Sequence, residues 1–290
     1  MKACALAVAV LACFKLPDEM RADSVSLAPI ADTTISERFF DTPQGDLTTL
    51  SAGTDGPEGG AGRNRALLAF DIASFIPPKS VVDSVSLKLT VTTATSTTNL
   101  WFSLHKVTTN WSEVTATWND RATPPAPWSV PGGAPPEDFS SSISQSNLIT
   151  GLGSFTFMSS PNLVADVQDW VNNPESNFGW LLACELEGLE RSKRKFGSRE
   201  SGTNSRPLLT VQFTPPPSLT MSFLPPTNGE FQFQFNAAPD LAYSVLFSDE
   251  IGTTNWLVLT NIPPLATPAP VLISDPISLV SNRFYRVRSP

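Results

Sequence analysis

A dense group of basic residues, RSKRKFGSR at 191–199, holds five of the 19 Lys and Arg residues of a chain whose formal net charge is −8. Alternate side chains of a strand share one face. Four cations are therefore predicted to project together: Arg191, Lys193, Lys195 and Arg199. Such a row could pair with the regularly spaced carboxylates of an acidic polysaccharide. The alternative is a solvated edge whose charges discourage strand pairing.

Arg199 and Glu200 end this segment as an adjacent pair of opposite charges. Neighbouring strand residues face opposite sides, so one of the two must point toward the interior or its rim, as Phe196 is predicted to do. A carboxylate there is tolerated only when it is paired. We therefore predict that Glu200 forms a structural clasp with Arg65 or Arg206, and that Arg199 contacts ligand.

Tryptophans offer a second means of binding sugars, because sugar rings stack their apolar side on exposed aromatic faces. Trp101 lies on a predicted outward strand face, and Trp128 lies in a proline-rich stretch. These two are the predicted platforms. Trp170 and Trp180 fit core positions instead.

Carboxylates that could hold calcium occur in the early part of the chain. Asp55 lies in the Gly-rich stretch 51–64, and Asp32, Asp41 and Asp46 precede it. Their spacing fits no standard calcium loop, and the Gly-rich stretch lacks the Lys-Ser/Thr ending of a phosphate-binding loop. A structural calcium is the one cofactor that these residues suggest.

The residue types that most polysaccharide-active enzymes need are scarce. Residues 29–214 contain no Tyr and a single His, His105, which shares its predicted outward face with Trp101 and Ser103. A lyase usually needs a Tyr or His as base, a glycosidase needs two opposed carboxyls, and a zinc hydrolase needs several His or Cys ligands. The depletion favours a non-catalytic protein, with a lyase or disaggregatase-like enzyme as an alternative.

The elements that must position these residues are predominantly β-strands. Alternation of apolar and polar residues predicts strands at 65–72, 83–91, 100–107, 154–158, 178–186 and 207–213. A period near 3.6 in 161–174 predicts one short amphipathic helix. Residues 119–153, rich in Pro, Gly and Ser, are predicted to form a long irregular excursion. The predicted fold class is all-β, with a large sandwich at 23–214.

A Pro-rich linker at 215–218 is predicted to separate this sandwich from a second module at 219–290. Strict alternation in GEFQFQFNA, followed by four further strand patterns, indicates a smaller immunoglobulin- or fibronectin-like sandwich. Its last predicted strand places Arg286 and Arg288 on one face.

Residues 1–22 are predicted to be a signal peptide, because Lys2 precedes an apolar run at 3–14 that is too short to span a bilayer. Secretion is therefore expected, with a lipid anchor at Cys13 as the alternative. Cleavage would leave Cys184 as the sole cysteine, predicted as a core residue. No membrane span is predicted, and the negative net charge argues against general nucleic-acid binding.

Several motifs occur in an order that is typical of one family: RALLAFDIASFIPPKSVVDSVSLKLTV, NWSEVTATWND, QDWVNN, NFGWLLA and KFGSRESGTNSRPLLTV. Residues 29–214 resemble the DNRLRE domain, which is also catalogued as carbohydrate-binding module family 96. The resemblance implies a jelly-roll-like β-sandwich from a secreted microbial protein, and alginate binding is the activity associated with the family. The DNRLRE string itself is replaced by KFGSRE at 195–200, so the ligand is not carried over.

Together these observations predict a secreted, non-catalytic protein of two sandwiches. The first module is expected to bind a polysaccharide, an acidic one if the cations at 191–199 carry the binding. The second is expected to serve as a spacer or attachment module. A structural protein of the cell surface or matrix is the alternative from a different class.

Overall fold

The computed structural model describes residues 22–216, 219, 221–227, 229–250, 255–276 and 283–288. The predicted signal peptide, except for Ala22, and the lipid-anchor alternative at Cys13 lie outside these residues. The chain divides into two compact units between residues 216 and 217. None of the helices in the described ranges is long and apolar enough to cross a bilayer.

Within its described residues, 22–216, the first unit contains eleven strands and one α-helix. The strands are β1 (Asp23–Leu27), β2 (Ala31–Ser36), β3 (Thr49–Thr54), β4 (Arg63–Ala69), β5 (Val81–Ala94), β6 (Leu100–Val107), β7 (Phe139–Ile149), β8 (Gly153–Phe157), β9 (Trp180–Cys184), β10 (Arg194–Gly197) and β11 (Leu208–Thr214). The helix is α1 (Pro161–Asn172), and short 3₁₀ turns lie at Pro57–Gly59 and Pro174–Ser176. The prediction of an all-β unit with one short helix is confirmed.

All eleven strands join one curled sheet in the order β1-β11-β5-β10-β3-β4-β9-β6-β7, with β2 on β4 and β8 on β5. Every pairing is antiparallel, and many neighbours are distant in sequence, as in jelly-roll sandwiches. Strands β3 and β4 pair only at Gly53–Asn64 and Thr54–Arg63. This short seam separates a first half-sheet (β1, β3, β5, β8, β10, β11) from a second half-sheet (β2, β4, β6, β7, β9).

The main core lies between the two half-sheets and is built by strand alternation. In β5, Val85, Leu87, Leu89 and Val91 are buried, whereas the polar residues between them are partly exposed. Strands β6 and β9 of the second half-sheet contribute Phe102, Leu104 and Leu182 to the same cluster.

Helix α1 closes this core with one apolar face. The hydroxyl of Ser160 caps the helix by accepting the N–H of Leu163 at 3.1 Å. Leu163, Val167 and Trp170 are buried, and the Trp170 ring lies 4.5 Å from that of Trp180. The core positions predicted for the two tryptophans are confirmed.

The segment 119–153 is more regular than predicted, because Phe139–Ile149 forms the edge strand β7 on β6. Its sequence, FSSSISQSNLI, hides the strand period, since an edge strand exposes polar residues on much of its length. The loop before β7 covers part of the outer face of the second half-sheet, the face turned away from the main core. Trp118 and Trp128 of this loop form a smaller core cluster there with Leu67 of β4 and Leu181 of β9.

The described part of the second unit contains six strands in two antiparallel sheets. They are β12 (Met221–Thr227), β13 (Glu230–Ala237), β14 (Tyr243–Ser248), β15 (Leu257–Ile262), β16 (Ala269–Pro276) and β17 (Phe284–Arg288). The sheet orders are β12-β13-β16 and β15-β14-β17. A core of Phe233, Phe235, Tyr243, Val245 and Ile273 joins them into the predicted small sandwich. Arg286 and Arg288 are exposed on β17.

Candidate functional site

The predicted row of four cations is not formed. Strand β10 covers only Arg194–Gly197, so the alternation does not extend to Arg191 or Arg199. Arg191 lies in a turn with a φ of 61°, and its carbonyl oxygen accepts bonds from the hydroxyls of Thr95 and Ser96. The four side chains therefore point in directions set by turns rather than by one strand.

Most of these cations are already paired. Arg191 lies 2.5 Å from Glu58. The ammonium group of Lys193 pairs with Asp55, and the side chains of Lys193 and Asp55 are both largely buried. Lys195 is the one member of the predicted row without an ion-pair partner among the described residues.

Arg194, which the prediction left out, is fully buried beside Phe196 on the inward face of β10. Its Nη2 donates to the carbonyl oxygens of Thr98 (2.6 Å) and Thr150 (3.2 Å), and its Nη1 donates to those of Ser192 and Lys193. Burial lowers the pKa of the guanidinium. The alternation that correctly placed Phe196 inward already implied this position for Arg194.

The predicted clasp of Glu200 with Arg65 or Arg206 is wrong in its partner. Glu200 Oε1 accepts a bond from the Nε of Arg199 at 2.7 Å. Arg65 pairs with Glu187, and Arg206 donates to the carbonyl oxygen of Ser201. The clasp is thus local, between two adjacent residues in a turn that follows β10.

Arg199 is the centre of a charged cluster rather than a free cation. Its Nε lies 2.9 Å from Glu113 Oε1, and its Nη1 donates to the carbonyl oxygen of Ile30 at 2.7 Å. Glu113 Oε1 also accepts the backbone N–H of Asp32 at 2.8 Å. These contacts fix the guanidinium to three separate segments and leave it half-buried.

Asp32 is the buried member of this cluster. Burial raises the pKa of its carboxyl to about 7, the N–H of Arg199 opposes the rise, and the nearby Glu200 and Glu113 add to it. Asp32 Oδ2 accepts that N–H at 2.8 Å. Asp32 Oδ1 and Glu200 Oε2 are both buried without a hydrogen-bond partner among the described residues.

The predicted calcium ligands do not come together. Asp41 accepts a bond from Asn119, Asp55 contacts Lys193 and Asn64, and Asp46 lines an open cleft that also contains Arg199. Asp32 serves the cluster described above. No group of three or more His, Cys, Asp or Glu side chains in the described part of the chain could hold a metal ion.

The two predicted tryptophan platforms differ in exposure. Trp128 is only 4% exposed, and its Nε1 donates to the carbonyl oxygen of Thr117, so this residue is part of the smaller core and cannot be a platform. Trp101 is 50% exposed on β6. Its pairing partner on β7, Leu148, is also exposed, which extends the apolar surface beside the indole.

A groove of about 280 Å³ lies on the uncovered part of the outer face of the second half-sheet, on the same strand face as Trp101. We call it the outer groove. Its lining residues are Arg65, Ser103, His105, Pro135, Phe139, Ala183, Cys184, Glu185 and Glu187. The prediction that Trp101, Ser103 and His105 share one strand face agrees with this arrangement.

Arg65 and Glu187 form a rigid pair in the outer groove. The Nε and Nη2 of Arg65 each donate to one carboxylate oxygen of Glu187 at 2.8 Å. The Nη1 donates to the carbonyl oxygens of Gly132 and Gly133, and the guanidinium lies 5.6 Å from the centre of the Trp118 ring. The cation is therefore both neutralised and fixed in orientation.

Two acceptors in the outer groove remain open. Glu185 Oε1 accepts from Ser103 at 2.5 Å and from Ser146 at 2.9 Å, whereas its Oε2 has no partner among the described residues. His105 Nδ1 lies 3.0 Å from the carbonyl oxygen of Ser140 and must donate to it, so the neutral ring presents Nε2 as an acceptor. Burial lowers the pKa of His105 and favours this neutral form.

Glu185 and Glu187 were not predicted as site residues. The sequence held a partial signal for Glu185, because the predicted strand at 178–186 places it on the same outward face as Ala183. The structure ends β9 at Cys184, so the turn that follows, rather than strand alternation, positions both glutamates.

Comparison with known families gives a match for part of the first unit. Residues 23–127 match the family model of carbohydrate-binding module family 96. The resemblance seen in the sequence is confirmed for these residues, which include Arg65, Trp101, Ser103 and His105. The second unit lies outside the family 96 match. No curated protein matches the chain.

The match indicates a carbohydrate partner and suggests a non-catalytic role. Three of the nine groove-lining residues, Arg65, Ser103 and His105, lie within the match, as does the exposed Trp101 on the same strand face. The other six lining residues, Glu185 and Glu187 among them, lie outside it. An exposed indole next to oriented polar groups suits the binding of sugars.

Proposed function

We propose that the first unit is a non-catalytic carbohydrate-binding module that holds a polysaccharide in the outer groove of a secreted protein. The observation that carries this proposal is the position of the open Trp101 face on the same strand as Ser103 and His105, within residues that match family 96. A polysaccharide lying along this face could stack on the indole and bond to the groove at once.

The outer groove is a better candidate than the segment 191–199 because it has unfilled hydrogen-bonding positions. Arg191, Lys193 and Arg199 already have carboxylate partners, and a ligand carboxylate would have to displace them. In the groove, Glu185 Oε2 and His105 Nε2 are open without any rearrangement.

The groove chemistry supports binding rather than bond cleavage. Glu187 is held by both arms of Arg65, and Glu185 is held by two serine hydroxyls. Both carboxylates extend from the same end of β9, whereas a glycosidase places its two carboxyls on opposite sides of the scissile bond. A polysaccharide lyase would also need a base aligned with the C5 proton. His105 is the one histidine of the chain, so the assay for unsaturated uronates described next tests whether it takes that role.

A glycan array probed with the full protein, followed by titration of the best polysaccharide, tests the proposal. We expect saturable binding, no new reducing ends and no ultraviolet absorbance from unsaturated uronates. Such absorbance would instead establish a lyase. Self-association without binding to any glycan would favour the alternative of a structural protein of the cell surface or matrix.

Two parts of the proposal concern the rest of the chain. The second unit would act as a spacer or attachment module, which predicts that its deletion leaves the dissociation constant of the polysaccharide unchanged.

Secretion rests on the apolar run at 3–14. It predicts that the exported protein begins near residue 23 in N-terminal sequencing, and a cell-retained protein with an intact N-terminus would contradict it.

A further inference from the structure

We infer that the outer groove selects a neutral polysaccharide over one built from uronates. This inference rests on the proposed function and names the ligand class of the same site. It differs from the acidic ligand that the basic segment 191–199 predicts.

The charge balance of the groove is the first argument. Arg65 is the one cationic side chain among the lining residues, and it is neutralised by Glu187. Glu185 remains as an uncompensated carboxylate, while His105 is neutral. A ligand carboxylate entering the groove would lose water and face Glu185 without a free cation, which disfavours a polyuronate.

The direction of the open hydrogen bonds is the second argument. Glu185 Oε2 and His105 Nε2 both accept. Sugar hydroxyls can donate to them, and a bond from a hydroxyl to a carboxylate is among the stronger kinds of hydrogen bond. A ligand carboxylate can only accept at neutral pH, so it cannot satisfy either position.

The aromatic surface on the same strand face as the groove adds no charge preference. Trp101 and its exposed neighbour Leu148 form an apolar surface suited to the C–H face of a sugar ring. The selectivity must therefore come from the polar residues of the groove itself.

Lys195 lies on the wrong side of the sandwich to change this balance. Arg194 and Phe196 of β10 face the main core, so Lys195 between them points outward from the first half-sheet. The groove lies on the outer face of the second half-sheet, on the opposite side of that core. Its ammonium group therefore cannot compensate a ligand carboxylate in the groove.

The test compares charged polymers with the same polymers after their carboxylates are reduced to hydroxymethyl groups. Polygalacturonate and alginate are each paired with their carboxyl-reduced forms at matched chain length, together with neutral glucan, xylan and mannan. We expect the full protein to bind at least one neutral polymer, and to bind a carboxyl-reduced form at least about tenfold more tightly than its charged parent.

The variant Glu185→Gln tests the origin of that preference. The amide keeps the bonds from Ser103 and Ser146 but removes the charge, so the preference for the reduced polymer should fall about fivefold or more. Glu190→Gln, an exposed change in the same connection but outside the groove lining, is the matched control and should leave the preference unchanged.

The outcomes separate the two proposals. Tighter binding of the charged polymers, or an unchanged preference in Glu185→Gln, would overturn the inference while carbohydrate binding itself stood. Absence of binding to every polymer would contradict the proposed function, and the inference with it.

Discussion

The segment 191–199 and the outer groove both carry charged side chains, yet they differ in how many of their hydrogen-bonding positions are filled. In the segment, three of the four predicted binding cations contact Glu58, Asp55, Glu113 or Glu200. In the groove, Arg65 is likewise bonded to a carboxylate, that of Glu187, but Glu185 and His105 each keep one hydrogen-bond acceptor open.

The comparison shows that a high density of charge is a poor guide to a binding site. Partners such as Asp55 and Glu113 come from distant parts of the chain, and they convert cations that look available into parts of the fold. Open positions arise where a side chain has more bonding capacity than the fold uses. The following predictions test this distinction.

Arg194→Ala should have the largest effect on stability. The change leaves carbonyl oxygens of Thr98 and Thr150 without their buried donor and opens a cavity, so the unfolding free energy of the first unit should fall by about 3–5 kcal/mol. The matched control is Lys195→Ala, one residue along β10 on the outward face. This change should alter the unfolding free energy by less than about 0.5 kcal/mol. Equal effects in denaturant titrations would contradict the structural role of Arg194.

Asp32→Asn should change the pH dependence of stability. The folded carboxyl has a pKa of about 7 against an ordinary 3.8, so its favourable contribution is present below the ordinary value and is lost as pH rises through about 7. The amide is neutral throughout, so at pH 8 the variant should be more stable than the parent by up to about 4 kcal/mol. Thermal unfolding at pH 5 and pH 8 measures this, and an equal difference at both pH values would refute it.

Trp101→Ala should weaken polysaccharide binding about tenfold, which corresponds to roughly 1.4 kcal/mol, without lowering the melting temperature. Phe75→Ala removes another exposed aromatic side chain, far from the groove lining, and should leave the affinity unchanged. Titration calorimetry with the best polymer compares them. A loss of affinity in both variants would mean that binding is not confined to the groove.

Lys195→Ala should have the smallest effect on binding, below about twofold, and Lys88→Ala on the neighbouring strand β5 provides the matched control. Raising the salt concentration about tenfold should also leave the affinity nearly constant, since no free cation contributes. A strong salt dependence combined with loss of binding in Lys195→Ala would reverse the comparison and restore the basic segment as the site.

Local periodicity was sufficient to predict most of the fold. The alternation in β5, β6 and β13 and the helical period of α1 place Leu87, Phe102, Phe233 and Val167 inside, because burial repeats along each element. Strands β1, β2, β3 and β7 were not predicted. In β7 the cause is its polar residues, which resemble a loop.

The site was harder to predict because it depends on long-range contacts. The exposure of Trp101 follows from its own strand, and that prediction was correct. Trp128 is hidden by packing that involves Leu67 and Leu181, which are far away in sequence. The engagement of Lys193 by Asp55 likewise depends on the pairing of β10 with β3, which no local pattern encodes.

Arg194 also limits how this domain can vary between related proteins. The carbonyl oxygens that it binds lie in three different connections: Thr98 between β5 and β6, Thr150 between β7 and β8, and residues 192–193 between β9 and β10. An insertion or deletion in one connection would move its oxygen away from the shared guanidinium. The lengths of three loops are therefore coupled through one side chain, and loop grafting is better directed to connections that Arg194 does not reach.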